Sequence, residues 1–371
     1  MSHLEKENRS MFVRRLAGCV LCASAALVLA QSPAWAGSSQ RTGTNGAHEL
    51  RLPVGARGTA LGGSVVSDVT GIESMFWNPA GLGTIEGTEL MFTNTQYIAD
   101  MKVNYAAVAT HVGGFGVLGL SVKVLSVGDI VVTTEDAPDG TGEILKPTFT
   151  VIGSSWGRQF TDRVLFGASA QFVSERIAQV SANGVAFDFG VQYATGLHGF
   201  KLGLAMKNFG SSMAFSGPGF ETSVLPPGSD PSASNRVLSS NSASFEMPSF
   251  FTLAAAYDVV NSSKYRLALF GGFQNNNFSF DDVNGAAELT FRGLYSLRAS
   301  YFATFGSSTD VNGNEGSTEW TSGDDIYTGW ALGAGAQLKT GERGRLGIDA
   351  AWRPIKEFFD DTFEIGLKLA F

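Results

Sequence analysis

Apolar and polar residues alternate with a period of two along most of this chain. The last segment places its apolar residues on one face, namely Phe363, Ile365, Leu367, Leu369 and Phe371, whereas the other face, from Thr362 to Ala370, is polar or small. This alternation lasts for about ten residues, the length that a tilted strand needs to cross a bilayer. The pattern therefore predicts strands with one apolar and one polar face, which a soluble sandwich could also contain.

Similar segments recur about fourteen times after residue 87. They begin near Thr88, Lys102, Phe115, Lys146, Arg163, Asn183, Gly199, Pro248, Lys264, Val283, Leu294, Ile326, Gly344 and Thr362. Every second connection is a very short turn: Gly113-Gly114, Thr161-Asp162, Thr195 to His198, Asn261 to Ser263, Arg292-Gly293 and Thr340 to Arg343. The others are usually longer: Gly128 to Leu145, Ile177 to Ala182, Phe209 to Met247, Asn277 to Asp282, Ser307 to Asp325 and Pro354 to Asp361. Outer-membrane barrels sort their connections in this way and sandwiches do not, so we predict an all-β fold, a transmembrane antiparallel β-barrel of about 14 strands.

The last predicted strand ends in an aromatic residue, Phe371. An alternating final strand that ends in this way resembles the signal that the barrel-assembly machinery reads, which makes that machinery an expected partner. In a soluble protein, an open edge strand of this length would invite aggregation. The apolar residues from Phe363 to Phe371 are therefore predicted to form the barrel-closing strand.

The N-terminal segment has the features of a secretory signal. Arg14 and Arg15 precede an apolar run from Leu16 to Ala30, and Ala34-Trp35-Ala36 offers a cleavage site after Ala36. The run is shorter than the roughly 20 residues of a membrane-spanning helix. A lipoprotein box would follow the apolar run, but Leu16-Ala17-Gly18-Cys19 precedes it, and the residues around the two arginines do not match a twin-arginine motif. We expect export, a place in the cell outer membrane among its lipids, and a mature chain without Cys19 and Cys22, hence without disulfides.

Composition and motifs give little sign of chemistry. Only 16% of the residues are charged, glycine (46) and phenylalanine (28) are abundant, and the net charge of -8 does not favour nucleic acid as a partner. The four histidines, His3, His48, His111 and His198, form no metal-ligand or catalytic-triad pattern. The segment Asp310 to Asn314 begins like a calcium loop, but Glu315 and Thr321 stand where glycine and glutamate are required. We predict no catalytic residue, no metal and no cofactor, and a protein that is not an enzyme.

The region before the first strand carries a family resemblance. Residues 55–82 read GARGTALGGSVVSDVTGIESMFWNPAGL, and this run resembles the N-terminal signature of the PorV/PorQ-type outer-membrane barrels. These are relatives of the FadL fatty-acid channels, which share the NPAGL core. The resemblance continues through GDIVVTTEDAPDGTGE at 128–143, KNFG at 207–210 and the last strand. It covers essentially the whole mature chain.

The resemblance implies a hatch within the barrel. According to this resemblance, residues 1–36 are the signal peptide, residues 37–87 are a small N-terminal hatch, or plug, and residues 88–371 are the barrel. The expected hatch motif comprises Gly55, Ala56, Arg57, Gly62, Gly63, Trp77, Asn78, Pro79, Ala80 and Gly81. Residue chemistry predicts one helical turn here, because asparagine caps helices, proline suits their first position and glycine suits their end. Trp77 would anchor the hatch to the inner wall, although a turn that merely launches the first strand is an open alternative for Asn78.

Three functions are compatible with these observations. The favoured one is a PorV/PorQ-like role in protein secretion or surface attachment, with secreted cargo or secretion components as protein partners. The alternative is a FadL-like channel for the uptake of hydrophobic small molecules, whose partner would be an apolar ligand. The charged residues on the inward faces, among them Glu288 and Arg298, weigh against an apolar permeant. An outer-membrane hydrolase is the weakest hypothesis, because no serine, histidine and acid pattern is present.

Overall fold

The computed structural model of the chain describes residues 41, 43–197, 199–225, 227–228, 230, 234–309, 315–322, 326–341, 344–356 and 359–371. The predicted signal peptide with its two cysteines, His198 and the segment Asp310 to Asn314 lie outside these residues. Predictions about them stay predictions.

Fourteen antiparallel strands form one closed barrel. They are β1 (Thr88–Gln96), β2 (Lys102–His111), β3 (Val117–Ser126), β4 (Thr148–Thr161), β5 (Val164–Ile177), β6 (Val180–Ala194), β7 (Lys201–Gly210), β8 (Phe250–Asn261), β9 (Tyr265–Asn276), β10 (Asp281–Phe291), β11 (Tyr295–Thr309), β12 (Trp330–Thr340), β13 (Gly344–Arg353) and β14 (Thr362–Ala370). Each pairs with its neighbours in sequence order, and β1 pairs with β14. The predicted fold class, a transmembrane antiparallel barrel of about 14 strands, is confirmed.

Strands β1 and β14 close the barrel through a continuous antiparallel register. The register runs from Glu89 opposite Ala370 to Gln96 opposite Phe363. Beyond it, the Phe371 amide donates to the Thr88 carbonyl at 3.0 Å, and the Thr88 amide donates to the Phe371 carbonyl at 2.9 Å. Closure pairs both edges of the sheet, so that their backbone groups are satisfied within the bilayer.

The strand faces separate the bilayer from the lumen. In β14 and just after it, the predicted barrel-closing residues Phe363, Ile365, Leu367, Leu369 and Phe371 are 40–62% exposed on the outside, whereas Glu364 is fully buried within. Aromatic rings gather near the short-turn rim, where Trp156 contacts Phe160 at 6.3 Å and Phe166 at 6.1 Å between ring centroids. An outward apolar band flanked by aromatic residues is typical of transmembrane barrels.

Most connections follow the predicted sorting, but two that were predicted to be longer are short, and one of these is residues 277–280 between β9 and β10. Residues 178–179 alone join β5 to β6, where the sequence predicted a longer loop from Ile177 to Ala182. The prediction was wrong because alternation continues into this stretch, and β5 and β6 extend to 14 and 15 residues. Ala178 allows the tight turn by adopting a positive φ of 49°.

Some of the longer connections contain secondary structure of their own. Ile130–Val131 pairs with Ile144–Leu145, and Glu221–Val224 pairs with Arg236–Ser239. Glu315–Ser322 pairs with the end of β11 and extends that strand beyond the barrel. These hairpins lie on the rim opposite the short turns.

Residues 43–87 contribute short helices and turns. The α-helices are α1 (Ala56–Ala60) and α2 (Ser74–Trp77), and 3-10 turns cover His48–Leu50, Ser64–Ser67, Gly71–Glu73 and Pro79–Thr84. Together these elements contact strands from β1 round to β14, which places the segment inside the barrel. Within the described residues, no helix combines the length and the apolar character needed to cross a bilayer.

Candidate functional site

The segment 43–87, called the hatch below, runs through the lumen from one rim to the other. Near its start, the Gly46 amide donates to the Glu246 carbonyl at 3.1 Å, in the long connection between β7 and β8. Ala47 and Leu50 pack there in an apolar cluster with Met213 and Met247. The hatch ends where β1 begins, at the short-turn rim, so it connects the long loop to the opposite rim.

Asn78 holds the hatch together and ties it to the wall. Its Oδ1 accepts a hydrogen bond from the Ala80 amide at 3.1 Å, which caps the 3-10 turn Pro79–Thr84 with proline at the first position. Its Nδ2 donates to the Val66 carbonyl at 2.8 Å within the hatch and to the Val191 carbonyl of β6 at 3.2 Å. The side chain is fully buried, so each lost bond would leave an unsatisfied polar group.

The turn at Asn78 and Pro79 packs against a row of glycines in the barrel wall. Gly157 of β4, Gly167 of β5 and Gly190 of β6 stand opposite one another on three neighbouring strands. A Cβ at Gly167 would lie 2.2 Å from the Pro79 carbonyl carbon, and one at Gly190 would lie 1.9 Å from the Asn78 Oδ1. Side chains in this row would therefore collide with the NPAGL turn.

These glycines are not among the residues predicted from the sequence, although the sequence contains a signal for them. Gly157 and Gly167 are symmetric about the turn between β4 and β5, and both fall on the inward face. Glycine weakens a strand unless another backbone approaches closely. Two inward glycines paired across a hairpin therefore indicate where an inner segment touches the wall.

The other residues of the predicted hatch motif lie in the same segment. Gly62 and Gly63 have φ of 60° and 82°, and a Cβ at Gly62 would lie 3.0 Å from the Ser300 Oγ of β11. Trp77 packs with Leu61 and Val65 of the hatch and with Phe270 of β9. Ala56 is fully buried at the start of α1. The barrel-closing residues, by contrast, point outward and do not join this cluster.

Ion pairs between buried carboxylates and buried or partly exposed cations join the hatch to one half of the wall. Arg57 of α1 grips Glu288 of β10 through two bonds, Nε to Oε1 at 3.0 Å and Nη2 to Oε2 at 2.8 Å. Arg57 also pairs with Asp68 of the hatch at 3.2 Å, and Asp68 pairs with Arg266 of β9 at 3.0 Å and with Lys201 of β7. Charges in such surroundings are stable when they are paired and hydrogen-bonded.

The same chain of charges returns to the hatch through four strands. Glu288 accepts from Arg298 of β11 at 2.7 Å, Arg298 donates to Asp349 of β13 at 2.7 Å, and Asp349 pairs with Lys368 of β14 at 3.0 Å. Lys368 then pairs with Glu73 of the hatch. The network of ion pairs therefore begins and ends on the hatch, at Arg57 and at Glu73.

Electrostatics within the hatch agree with this pairing. Burial opposes the ionisation of Asp68, but the positive charges of Arg57, Lys201 and Arg266 outweigh it and lower the pKa of Asp68. Likewise, burial disfavours the charged form of Arg57, and Glu288 outweighs it and raises the pKa of Arg57. Both groups are therefore charged at neutral pH and act as fixed ion-pair partners.

Glu49 is an exception within the hatch. Its side chain is 1% exposed, and neither carboxylate oxygen has a hydrogen-bond partner in the part of the chain that the structure describes. Burial, reinforced by repulsion from Glu175 of β5, raises the pKa of Glu49 to about 8. This carboxyl therefore takes a proton at neutral pH.

A cavity of about 90 Å³ lies between the hatch and the wall. Its lining consists of Arg51, Gly63, Val66, Phe76, Trp77, Lys207, Phe250, Thr252 and Gln274. A smaller cavity of about 20 Å³ lies on the other side of Phe76, among residues that include Lys123, Gln171 and Asp188. Within the described residues, no group of three or more His, Cys, Asp or Glu is placed to hold a metal ion.

Comparison with known proteins finds solved structures that share the barrel fold. No protein-family model matches the chain, and no curated protein matches it in sequence. Among solved structures, it is similar to the CymD monoaromatic hydrocarbon channel, with a TM-score of 0.53 and 13% identity over 86% of this chain and 97% of that one. The barrel has the fold of the hydrocarbon channels. The Pseudomonas putida toluene transporter TodX is also similar, with a TM-score of 0.51 and 13% identity over 85% of this chain and 96% of that one.

Membership of the PorV/PorQ family stays a prediction after these comparisons. The similar structures are named for hydrocarbon transport, and at 13% identity they establish the fold alone. Fold and function are separable, so the residues of the hatch and its cavity must carry any functional conclusion.

Proposed function

We propose that this protein is an outer-membrane channel for the uptake of small hydrophobic molecules, in which movement of the hatch opens the path. The likeness to CymD and TodX supports this proposal, because it extends over nearly the whole of both structures and includes the 14-strand barrel. The predicted signal peptide and the outward apolar band support the outer membrane as its location, with lipid around the barrel and the assembly machinery as a partner during insertion.

The observation that carries the proposal is the cavity at the boundary between hatch and wall. Phe76, Trp77 and Val66 line it from the hatch, and Phe250 lines it from β8. Ligand sites are mostly apolar, with a few polar groups that set orientation. The hatch is attached to the wall by hydrogen bonds and ion pairs that can break without unfolding the barrel. A cavity between the two can therefore bind a ligand, and movement of the hatch can open a path through the barrel.

The inward-facing charges were one reason for preferring the secretion hypothesis, because charges that line an open lumen disfavour an apolar permeant. The structure removes this reason. Glu288, Arg298 and Asp349 are at most 6% exposed and pair with one another and with the hatch. They serve as attachments of the hatch and do not line the cavity at Phe76 and Trp77, whereas Lys207 of the wall does line it.

The secretion hypothesis is the second candidate, and it depends on the PorV/PorQ resemblance and on the loops. Exposed apolar residues in the hairpins, including Ile130, Val131, Val237 and Leu238, favour a protein partner at the long-loop rim. Under this hypothesis the partners are secreted cargo proteins or components of a secretion system. Deletion of the gene would then remove the cargo proteins from the cell surface.

Uptake by whole cells tests the proposal. Cells that produce the protein in an outer membrane of low permeability should accumulate labelled toluene faster than cells with an empty vector. A variant that lacks Phe371, expected to assemble poorly because the pairing with Thr88 is lost, provides a matched control. Equal uptake with properly assembled protein, together with loss of surface proteins on gene deletion, would favour the secretion hypothesis.

A further inference from the structure

Two buried lysine ammonium groups lie close to the ring of Phe76. The Nζ of Lys207, in β7, is 3.7 Å from the centroid of the Phe76 ring, and the Nζ of Lys123, in β3, is 4.8 Å from it. Both lysines are only 4% exposed. Two lysine side chains therefore share one aromatic ring inside the barrel.

Neither ammonium group has a carboxylate partner in the described part of the chain, where every ion pair within 4.0 Å involves other residues. Lys207 donates to the Phe76 carbonyl, and Lys123 donates to the Leu52 carbonyl at 3.2 Å. Asp188, which lines the smaller cavity, accepts instead from Gln171 Nε2 at 2.5 Å and from the Asn208 amide at 2.8 Å. Asp188 is near enough to attract both ammonium groups but forms no direct ion pair with either. Buried charges are normally paired directly, so this arrangement is exceptional.

The larger cavity places positive charge beside an aromatic surface. Lys207 and Arg51 line it, together with Thr252 and Gln274, and no acidic residue is among the residues that line it. Arg51 donates to the Ser279 Oγ at 3.1 Å through Nη1, a bond that uses only one of the five N–H donors of a guanidinium. Trp77 and Phe250 form aromatic walls of the same cavity.

We propose that this cavity binds a small aromatic carboxylate. Its carboxylate would accept hydrogen bonds from Lys207 and Arg51, and its ring would lie against Trp77 and Phe250. Such a ligand supplies a direct ion-pair partner and fills the apolar part of the cavity, which a free inorganic anion or a neutral hydrocarbon does only in part. This inference rests on the proposed function and adds small aromatic acids to the hydrocarbons that the channel would carry.

Benzoate and benzamide test the proposal, because they have nearly the same shape and differ in charge. Isothermal titration of the purified full chain in detergent should show benzoate binding roughly ten- to a hundredfold more tightly than benzamide, the range for hydrogen bonds to charged groups. Lys207→Met should remove this preference and leave benzamide binding unchanged. Lys264→Met, which removes an exposed charge from the turn between β8 and β9, should behave as the unchanged protein does.

A second variant keeps the proposal testable if the Lys207→Met protein fails to assemble. Arg51→Gln removes the other cation from a half-buried position of the hatch, and it should also reduce the preference for benzoate. Equal binding of benzoate and benzamide, or a preference that survives both variants, overturns the inference. If toluene uptake is present and the preference is absent, the inference fails and the channel function stands. Absence of both binding and uptake rejects the two together.

Discussion

Arg57 of the hatch and Glu288 of β10 form a two-point ion pair, with N–O distances of 3.0 and 2.8 Å. Glu288 also accepts from Arg298, so its removal would leave two buried guanidinium groups without this partner. Breaking a buried ion pair from one side costs about 3–5 kcal/mol. We predict that Glu288→Gln releases α1 from the wall and that hydrogen exchange of the amides in 56–68 accelerates strongly. Glu143→Gln, in an exposed loop, is the control, and equal exchange in the two variants would contradict the role given to the network.

Asn78 should be the most sensitive position of the NPAGL turn. Asn78→Ala removes the cap on Ala80, which is worth about 0.5–2 kcal/mol, and also the donors to Val66 and Val191. Hydrogen exchange in 79–84 should increase while the barrel keeps its heat-modifiable mobility in gels. Asn277→Ala, at an exposed loop position, should change neither property. A slow, unchanged exchange in the Asn78 variant would show that the turn is held by packing alone.

The glycine row predicts an effect of adding a single methyl group. Gly167→Ala would place a Cβ 2.2 Å from the Pro79 carbonyl carbon, so the turn must move away, and overpacking of this kind costs about 1–3 kcal/mol. Gly271→Ala, in β9, adds the same group where nothing lies within 4 Å. Added protease should cut the hatch of the first variant sooner than that of the second. Equal protection in both would mean that the row does not seat the turn.

The alternation of the sequence identifies strands and faces, but it leaves most partners undetermined. The pairing of Glu288 with Arg298 follows from the short turn at Arg292-Gly293, because both are equally far from it on the inward face. The pairing of Arg57 with Glu288 does not, since 231 positions separate them and only the closed barrel brings them together. For the same reason Lys123 and Lys207 could be assigned to the lumen from sequence, whereas their common contact with Phe76 could not.

Glu49 makes the docking of the hatch depend on pH. The pKa of its carboxyl is raised from 4.5 to about 8 by burial and by repulsion from Glu175. Between these values the docked hatch keeps a proton that the released hatch gives up. Docking therefore weakens as pH rises through this window, by at most about 1.4 kcal/mol per pH unit for one group. Exchange in 47–51, corrected for intrinsic rates, should increase from pH 6 to pH 8.

Substitution of Glu49 isolates this effect from other titrations. Glu49→Gln should remove this weakening of docking with rising pH, because the neutral amide cannot ionise. His48, whose pKa is lowered by burial, acts in the opposite direction. Glu86→Gln, at an exposed position of the same segment, should retain it. If the Glu49 variant keeps the full dependence, another group controls docking.

The central claim, that uptake requires movement of the hatch, can be measured with a reversible crosslink. A Cβ built on Gly62 lies 3.4 Å from the Cβ of Ser300, close to the separation in a disulfide. With the signal peptide removed, the combined substitutions Gly62→Cys and Ser300→Cys introduce the only thiols of the mature chain. The account predicts that oxidised cells take up labelled toluene no faster than cells without the protein and that a reductant restores uptake in the same cells. Equal uptake before and after reduction, with the disulfide verified, would contradict it.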